Sequence, residues 1–230
     1  MCAATRAHRA AASPVSFLKR LRSIAHRIDA LTPEPKPLRA YLNWGRANWE
    51  MLRRSGRIAA RPLKLTFDAT NVCQLRCPLC PTGLQLQDKP TQHADIATFQ
   101  RLMDEVGDYV FQLDFFNWGE PLLNKHITDF VALASERRIS STISSNFSFQ
   151  YDDERLRSLI RSGLNQLIVS LDGASVETAG TYRRRGDFDL VIENMRRLVR
   201  LKREMGSSTP YVVWRFLVFR FNEHELARAT

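Results

Sequence analysis

The stretch that decides the fold is Pro62-Leu63-Lys64-Leu65-Thr66-Phe67-Asp68-Ala69-Thr70-Asn71-Val72-Cys73-Gln74-Leu75-Arg76-Cys77-Pro78-Leu79-Cys80. Its first half alternates: Leu63, Leu65, Phe67 and Ala69 are apolar, while Lys64, Thr66, Asp68 and Thr70 are polar. A period of two marks a strand with one buried face. Its second half holds three cysteines with the spacing C-x3-C-x2-C, and Cys2 is the other cysteine of the chain. Such crowding does not suit a secreted disulfide framework. It suits a metal or iron–sulfur loop in a reducing compartment, and a cytoplasmic location is expected. Soft thiolates select zinc or iron–sulfur clusters. Structural zinc wants four ligands, and His93 or the distant Cys2 would have to complete the set. A closed cubane also normally has four cysteines. Three thiolates leave one metal with an open coordination position, and an open position is reactive. A disulfide with one free thiol is the remaining alternative.

Downstream, strand-like and helix-like patterns alternate. The spacing predicts helices over 94–106, 124–138, 152–161 and 188–205. It predicts strands over 109–116, 139–144, 166–171 and 211–219, with a further helix opening at Glu223. Asp152 is an expected cap, and Gly206 an expected stop. This rhythm predicts a parallel α/β sheet with helices outside. An open doubly wound sheet and a barrel both fit it.

Each of the first four strands ends in a polar or glycine-containing motif. They are the cysteine loop, Asn117-Trp118-Gly119-Glu120-Pro121, Ser144-Ser145-Asn146 and Ser170-Leu171-Asp172-Gly173. Taken singly, each has a blander reading as a turn or a helix start. In a parallel α/β fold, however, all strand C-termini share one edge, and sites are built there. Four such motifs on one edge, with the cysteines among them, read as a site.

Charge is distributed unevenly over the 230 residues, of which 44% are hydrophobic and 25% charged. Residues 1–61 hold 13 Lys and Arg against 3 Asp and Glu, whereas residues 62–230 hold 21 of each. The net charge of +10 therefore belongs to an N-terminal extension, 1–61, ahead of a neutral body, 62–230. A neutral body without an RNA-binding motif sets nucleic acid aside as a partner. Within the extension, 15–31 has helical spacing with Lys19, Arg20, Arg22 and Arg27 between its apolar positions. Such a helix packs on the body, lies peripherally on an anionic membrane or serves as a transit peptide. A proline-rich linker at 32–37 precedes a second helical stretch, 38–54, expected to dock on the body. No apolar run is long enough to span a membrane.

These residues together resemble the radical S-adenosylmethionine (SAM) superfamily. The resemblance covers about 62–230 and rests on Cys73-x3-Cys77-x2-Cys80, Gly119-Glu120-Pro121 and Ser170-Leu171-Asp172-Gly173 in that order. Finer features are similar to the branch that often carries a C-terminal SPASM domain and includes peptide-modifying enzymes. These are Cys77-Pro78-Leu79-Cys80-Pro81-Thr82-Gly83, Tyr182-Arg183-Arg184-Arg185-Gly186-Asp187-Phe188 and Asn222-Glu223-His224-Glu225.

The resemblance implies a partial TIM-like (β/α) barrel with a [4Fe-4S] cluster on Cys73, Cys77 and Cys80. The unique iron would bind the amino and carboxylate groups of SAM. Reductive cleavage would yield a 5′-deoxyadenosyl radical that takes hydrogen from a substrate, a peptide or protein being the class suggested. A reductant such as flavodoxin or ferredoxin is implied. Glu120 would accept from the cationic amino group, and Gly119 would let backbone approach closely. Asn146, Ser170 and Asp172 would serve the ribose or the carboxylate. Arg183 or Arg184 is a further carboxylate candidate, with a solvated basic turn as the alternative. Leu79, where the family often has an aromatic, would lie against the adenine. The family builds six β/α units, whereas the chain after Pro62 has room for about five at ~30 residues each. The core is therefore expected to be C-terminally truncated or completed by a partner, without a SPASM region. The alternative function is a non-catalytic iron–sulfur or zinc protein, or an inactive fragment, whose basic arm associates with membrane or nucleic acid.

Overall fold

The computed structural model describes residues 35–229, apart from Ser55, Gln87 and Lys89. The helix expected at 15–31 lies outside the described residues, as does Cys2.

Five parallel strands form one open sheet: β1 Lys64–Thr66, β2 Gln112–Asp114, β3 Ser140–Ser145, β4 Gln166–Ser170 and β5 Tyr211–Arg215. Their spatial order is their chain order, β1-β2-β3-β4-β5. A doubly wound sheet would reverse direction at a switch point. None occurs among the described residues, and the fold is a partial barrel of the TIM type. The helices are α1 Leu38–Leu52, α2 Ile96–Val106, α3 Ile127–Glu136, α4 Asp153–Arg161, α5 Val176–Tyr182 and α6 Phe188–Glu204.

Side chains start these helices where the sequence supplies acceptors. Asp95, Asp152 and Asp187 accept from the amides of Thr98, Arg155 and Leu190 at 2.7, 2.7 and 3.0 Å. Each such cap contributes about 1 kcal/mol. Gly206, at φ +63°, turns the chain out of α6. The core lies between sheet and helices. Phe67, Phe99, Phe115 and Phe130 meet there, with Phe67 edge-on to the other three at 4.9–6.3 Å.

Three differences from the sequence pattern have local causes. β5 stops at Arg215, not 219, because the chain bends so that the Leu217 amide donates to Asp172 Oδ1 at 2.8 Å. The segment opening at Glu223 is a 3-10 helix, Glu223–Arg228. α5 was not anticipated, since seven residues with three β-branched side chains and a glycine carry little helical period.

α1 docks beneath the strand N-termini. Tyr41 packs edge-on against Phe111, immediately before β2, at 5.7 Å. Asn43 Oδ1 accepts from the Arg61 amide, just before β1, at 2.7 Å. The opposite edge of the sheet is left to the polar motifs.

Candidate functional site

The strand C-termini surround a cavity of about 250 Å³ whose wall includes Cys73, Cys77 and Cys80. Gly119, Glu120, Asn146, Ser170 and Arg183 also reach it. Residues from all five strand ends thus converge, as parallel topology requires.

The cysteine loop is held from several sides. Cys77 is buried, and all three thiols are free. The loop folds so closely on Gly83 that a Cβ there would lie 2.6 Å from the Cys77 carbonyl oxygen. Burial pushes the Cys73 thiol up to about 11 and raises that of Cys77, which Arg183 partly opposes. Deprotonating these thiols therefore needs a cation, which a metal centre provides. Among the described residues, no three His, Cys, Asp or Glu side chains converge closely enough to hold one metal ion. His93, exposed and bridged through its backbone to Thr70, is not drawn to the cysteines. A cubane takes each thiolate on a separate iron, so it calls for thiols spaced around one cavity.

Gly119 sits at φ +77°, and a Cβ there would meet the Thr70 carbonyl oxygen at 2.2 Å. This approach lets the Glu120 amide donate to the Val72 carbonyl at 2.8 Å, tying the β2 loop to the cysteine loop. Glu120 is only 2% exposed. One of its carboxylate oxygens accepts from the Asn146 amide at 2.7 Å and the other from the Leu122 amide at 3.1 Å. Burial outweighs these donors and pushes its pKa up to about 7.

Asn146 Oδ1 accepts from Gln74 Nε2 at 2.8 Å, and its Nδ2 lies 3.9 Å from Cys73 Sγ. Ser170 and Ser144 share a hydroxyl contact at 3.2 Å. Asp172 is fully buried but does not reach the cavity wall. Its Oδ2 accepts from Arg183 Nε at 2.7 Å and its Oδ1 from the Leu217 amide. Through this pair Asp172 holds Arg183, which does reach the cavity wall. Leu79 is 74% exposed and also lies off the cavity wall. Its loop points it outward.

Sequence reasoning missed three contributors. Gln74 bridges Asn146 and the Ser148 carbonyl. Asp68 Oδ1 accepts from the Trp118 amide at 3.0 Å and so shapes the Gly119 turn. Arg215 lies on the cavity wall, level with Ser170 across the β4–β5 pairing. It donates to Ser144 Oγ at 2.5 Å, while its buried Nε has no partner among the described residues. The signal available was an arginine at the C-terminal end of a predicted strand. The orphaned donor fits an anionic group, such as a carboxylate, entering the cavity.

Fold and site together define a partial-barrel α/β protein built around a three-cysteine cavity at its strand C-termini. The sequence model of the radical SAM superfamily matches residues 68–217, and the chain belongs to that family. Membership implies SAM and a [4Fe-4S] cluster, and the cavity's donor set fits both. The chain is 26% identical over 118 residues to PqqA peptide cyclase of Granulibacter bethesdensis, covering 51% of this chain and 31% of the relative. It is 29% identical over 168 residues to GTP 3′,8-cyclase of Desulforamulus reducens, covering 71% and 49%. It thus spans about a third to a half of these relatives' length. Among solved structures, BtrN in complex with AdoMet and 2-DOIA matches at 21% identity and TM-score 0.45, covering 66% of this chain and 55% of that one. Streptococcus suis SuiB bound to S-adenosylmethionine matches at 18% identity and TM-score 0.48, covering 90% and 54%.

Proposed function

We propose that this chain carries the cofactor site of a radical SAM enzyme acting on a peptide or protein. The observation that carries the reading is the convergence of three free cysteines on one cavity at the strand C-termini. Cys73, Cys77 and Cys80 would hold the cluster. When bound, the cluster and SAM would supply one-electron radical chemistry for hydrogen abstraction from a substrate.

The protein's part is to bind, orient and exclude water. Gly119 brings the β2 loop against the cysteine loop, and the Glu120 carboxylate locks that loop to the end of β3. Backbone around Gly119 and Glu120, with the carboxylate behind it, provides negative character for the methionine amino group. Arg183, aimed by Asp172, and Arg215, with its spare Nε, offer charge-assisted donors for the methionine carboxylate. Asn146 and Ser170 provide neutral polar contacts for the ribose. A peptide substrate is supported by the similarity to PqqA peptide cyclase. A flavodoxin or ferredoxin as reductant and a cytoplasmic location are further parts of the proposal.

The test is electron paramagnetic resonance of protein reconstituted anaerobically with iron and sulfide, then reduced, with and without SAM. A cubane signal that changes on adding SAM is expected. A signal indifferent to SAM would overturn the SAM site and leave a non-catalytic iron–sulfur protein. One zinc per chain with no iron would overturn the cluster reading as well.

A further inference from the structure

α1 presents its apolar side away from the body. Its inward positions are Ala40 and Asn43, buried, with Ala47 and Glu50 half-buried at the same spacing. Its outward positions are Leu38, Leu42, Trp49 and Leu52, which are 72%, 66%, 54% and 75% exposed. These four recur at helical spacing and make one apolar stripe. Arg39, Arg46 and Arg53 recur every seven residues and line one flank of it; Arg39 and Arg46 also pair with Asp108 and Glu50 at 2.6 and 3.1 Å but stay 59% exposed. Arg53 stacks over Trp49 at 4.2 Å. Ile58, six residues beyond the helix, is 78% exposed as well.

A soluble helix packed on a body normally shows the reverse arrangement. We propose that α1 is a membrane-surface helix that lays its Leu38, Leu42, Trp49 and Leu52 face into an anionic phospholipid bilayer. Charge complementarity selects this occupant. α1 and its cap carry Arg39, Arg46 and Arg53 against Glu50 alone, so a second copy on this face would add like charge. An anionic headgroup layer complements the arginine flank, and the acyl boundary takes Leu and Trp. Tryptophan in particular favours the membrane–water interface. Geometry agrees: α1 lies beneath the strand N-termini, so the cavity at the opposite edge stays open to solvent while the helix is docked. The inference goes beyond the cofactor reading and does not depend on it.

The test is co-sedimentation of the full chain with vesicles of phosphatidylcholine mixed with phosphatidylglycerol, against phosphatidylcholine alone. The chain is expected to pellet with the anionic vesicles, less so as salt rises, with tryptophan emission shifting to the blue. The double substitution Leu42→Glu and Trp49→Glu is expected to weaken partitioning at least about tenfold. Val176→Glu, at a 60% exposed position on α5, is expected to leave it unchanged. Circular dichroism confirms that each variant is folded, and Leu42→Ala with Trp49→Ala is expected to fall between wild type and the glutamates. Failure of wild type to pellet with anionic vesicles would overturn the proposal. So would equal binding by the folded double glutamate variant, which would assign the affinity to residues 1–34. A lipid-free dimer that this variant dissociates, with no vesicle binding, would assign the face to a second copy.

Discussion

Gly119 shows at the scale of one residue why the β2 loop is where it is. At φ +77°, an L side chain there is strained, and a Cβ would overlap the Thr70 carbonyl oxygen at 2.2 Å. Gly119→Ala is expected to cost about 2–4 kcal/mol, or roughly 5–10 °C in melting temperature. It should also lower iron uptake during reconstitution, because the displaced loop abuts the cysteines. Asp172 makes a different case. Its carboxylate is fully buried against Arg183. Removing one partner of such a pair leaves the other charge uncompensated, so Asp172→Asn is expected to cost about 2–4 kcal/mol. The measurement is a double-mutant cycle with Arg183→Gln, in which a coupling above about 1 kcal/mol is expected. Additive losses would show that the pair contributes nothing specific. The sequence marked both residues, because glycine and aspartate at strand ends stand out by position. It did not reveal that Asp172 faces Arg183 and the Leu217 amide, since the direction of a side chain follows from chain segments 11 and 45 residues away.

At the scale of elements, helices and strands were legible because apolar period and caps act locally. Asp152 capping α4 and Gly206 ending α6 are such cases. What local pattern does not hold is how one element is tied to another. Lys36 does this for the lower edge: its Nζ donates to the carbonyls of Gly107 and Arg137 at 3.0 and 2.7 Å, the C-terminal caps of α2 and α3. Two helix ends thereby direct partial negative charge at one ammonium. Burial nevertheless pulls the Lys36 pKa down from 10.5 to about 8. The folded pKa lies below the unfolded one, so between about pH 8 and 10.5 the unfolded chain binds more protons. The contribution of this group to stability therefore rises with pH across that window and is flat below it. Lys36→Met leaves two carbonyls without their donor and is expected to lose about 1–3 kcal/mol at pH 7. Urea midpoints measured from pH 7 to 10 should show the gap between wild type and variant widening above pH 8. A constant gap would refute the pKa argument while leaving the tether intact.

At the scale of the molecule, periodicity could not choose between a doubly wound sheet and a barrel, because strand order is a property of crossovers and not of any one segment. The order β1 to β5 settles it, and it also separates stability from chemistry along the sheet. The main core runs from Ala69 through Phe99, Phe130 and Ile143 to Leu201 and includes none of the three cysteines. The thiols sit beyond it, on a loop past the strand C-termini. Converting Cys73, Cys77 and Cys80 together to serine should therefore abolish iron binding yet leave the fold. The loss is limited to one buried and two partly buried thiols outside the main core, so the variant is expected to melt cooperatively within about 5 °C of the metal-free wild type. Calorimetry of both chains without iron checks this directly. A non-cooperative or absent transition would mean that the cysteine loop is part of the folding unit. The cavity would then owe its shape to the loop instead of to the barrel beneath it.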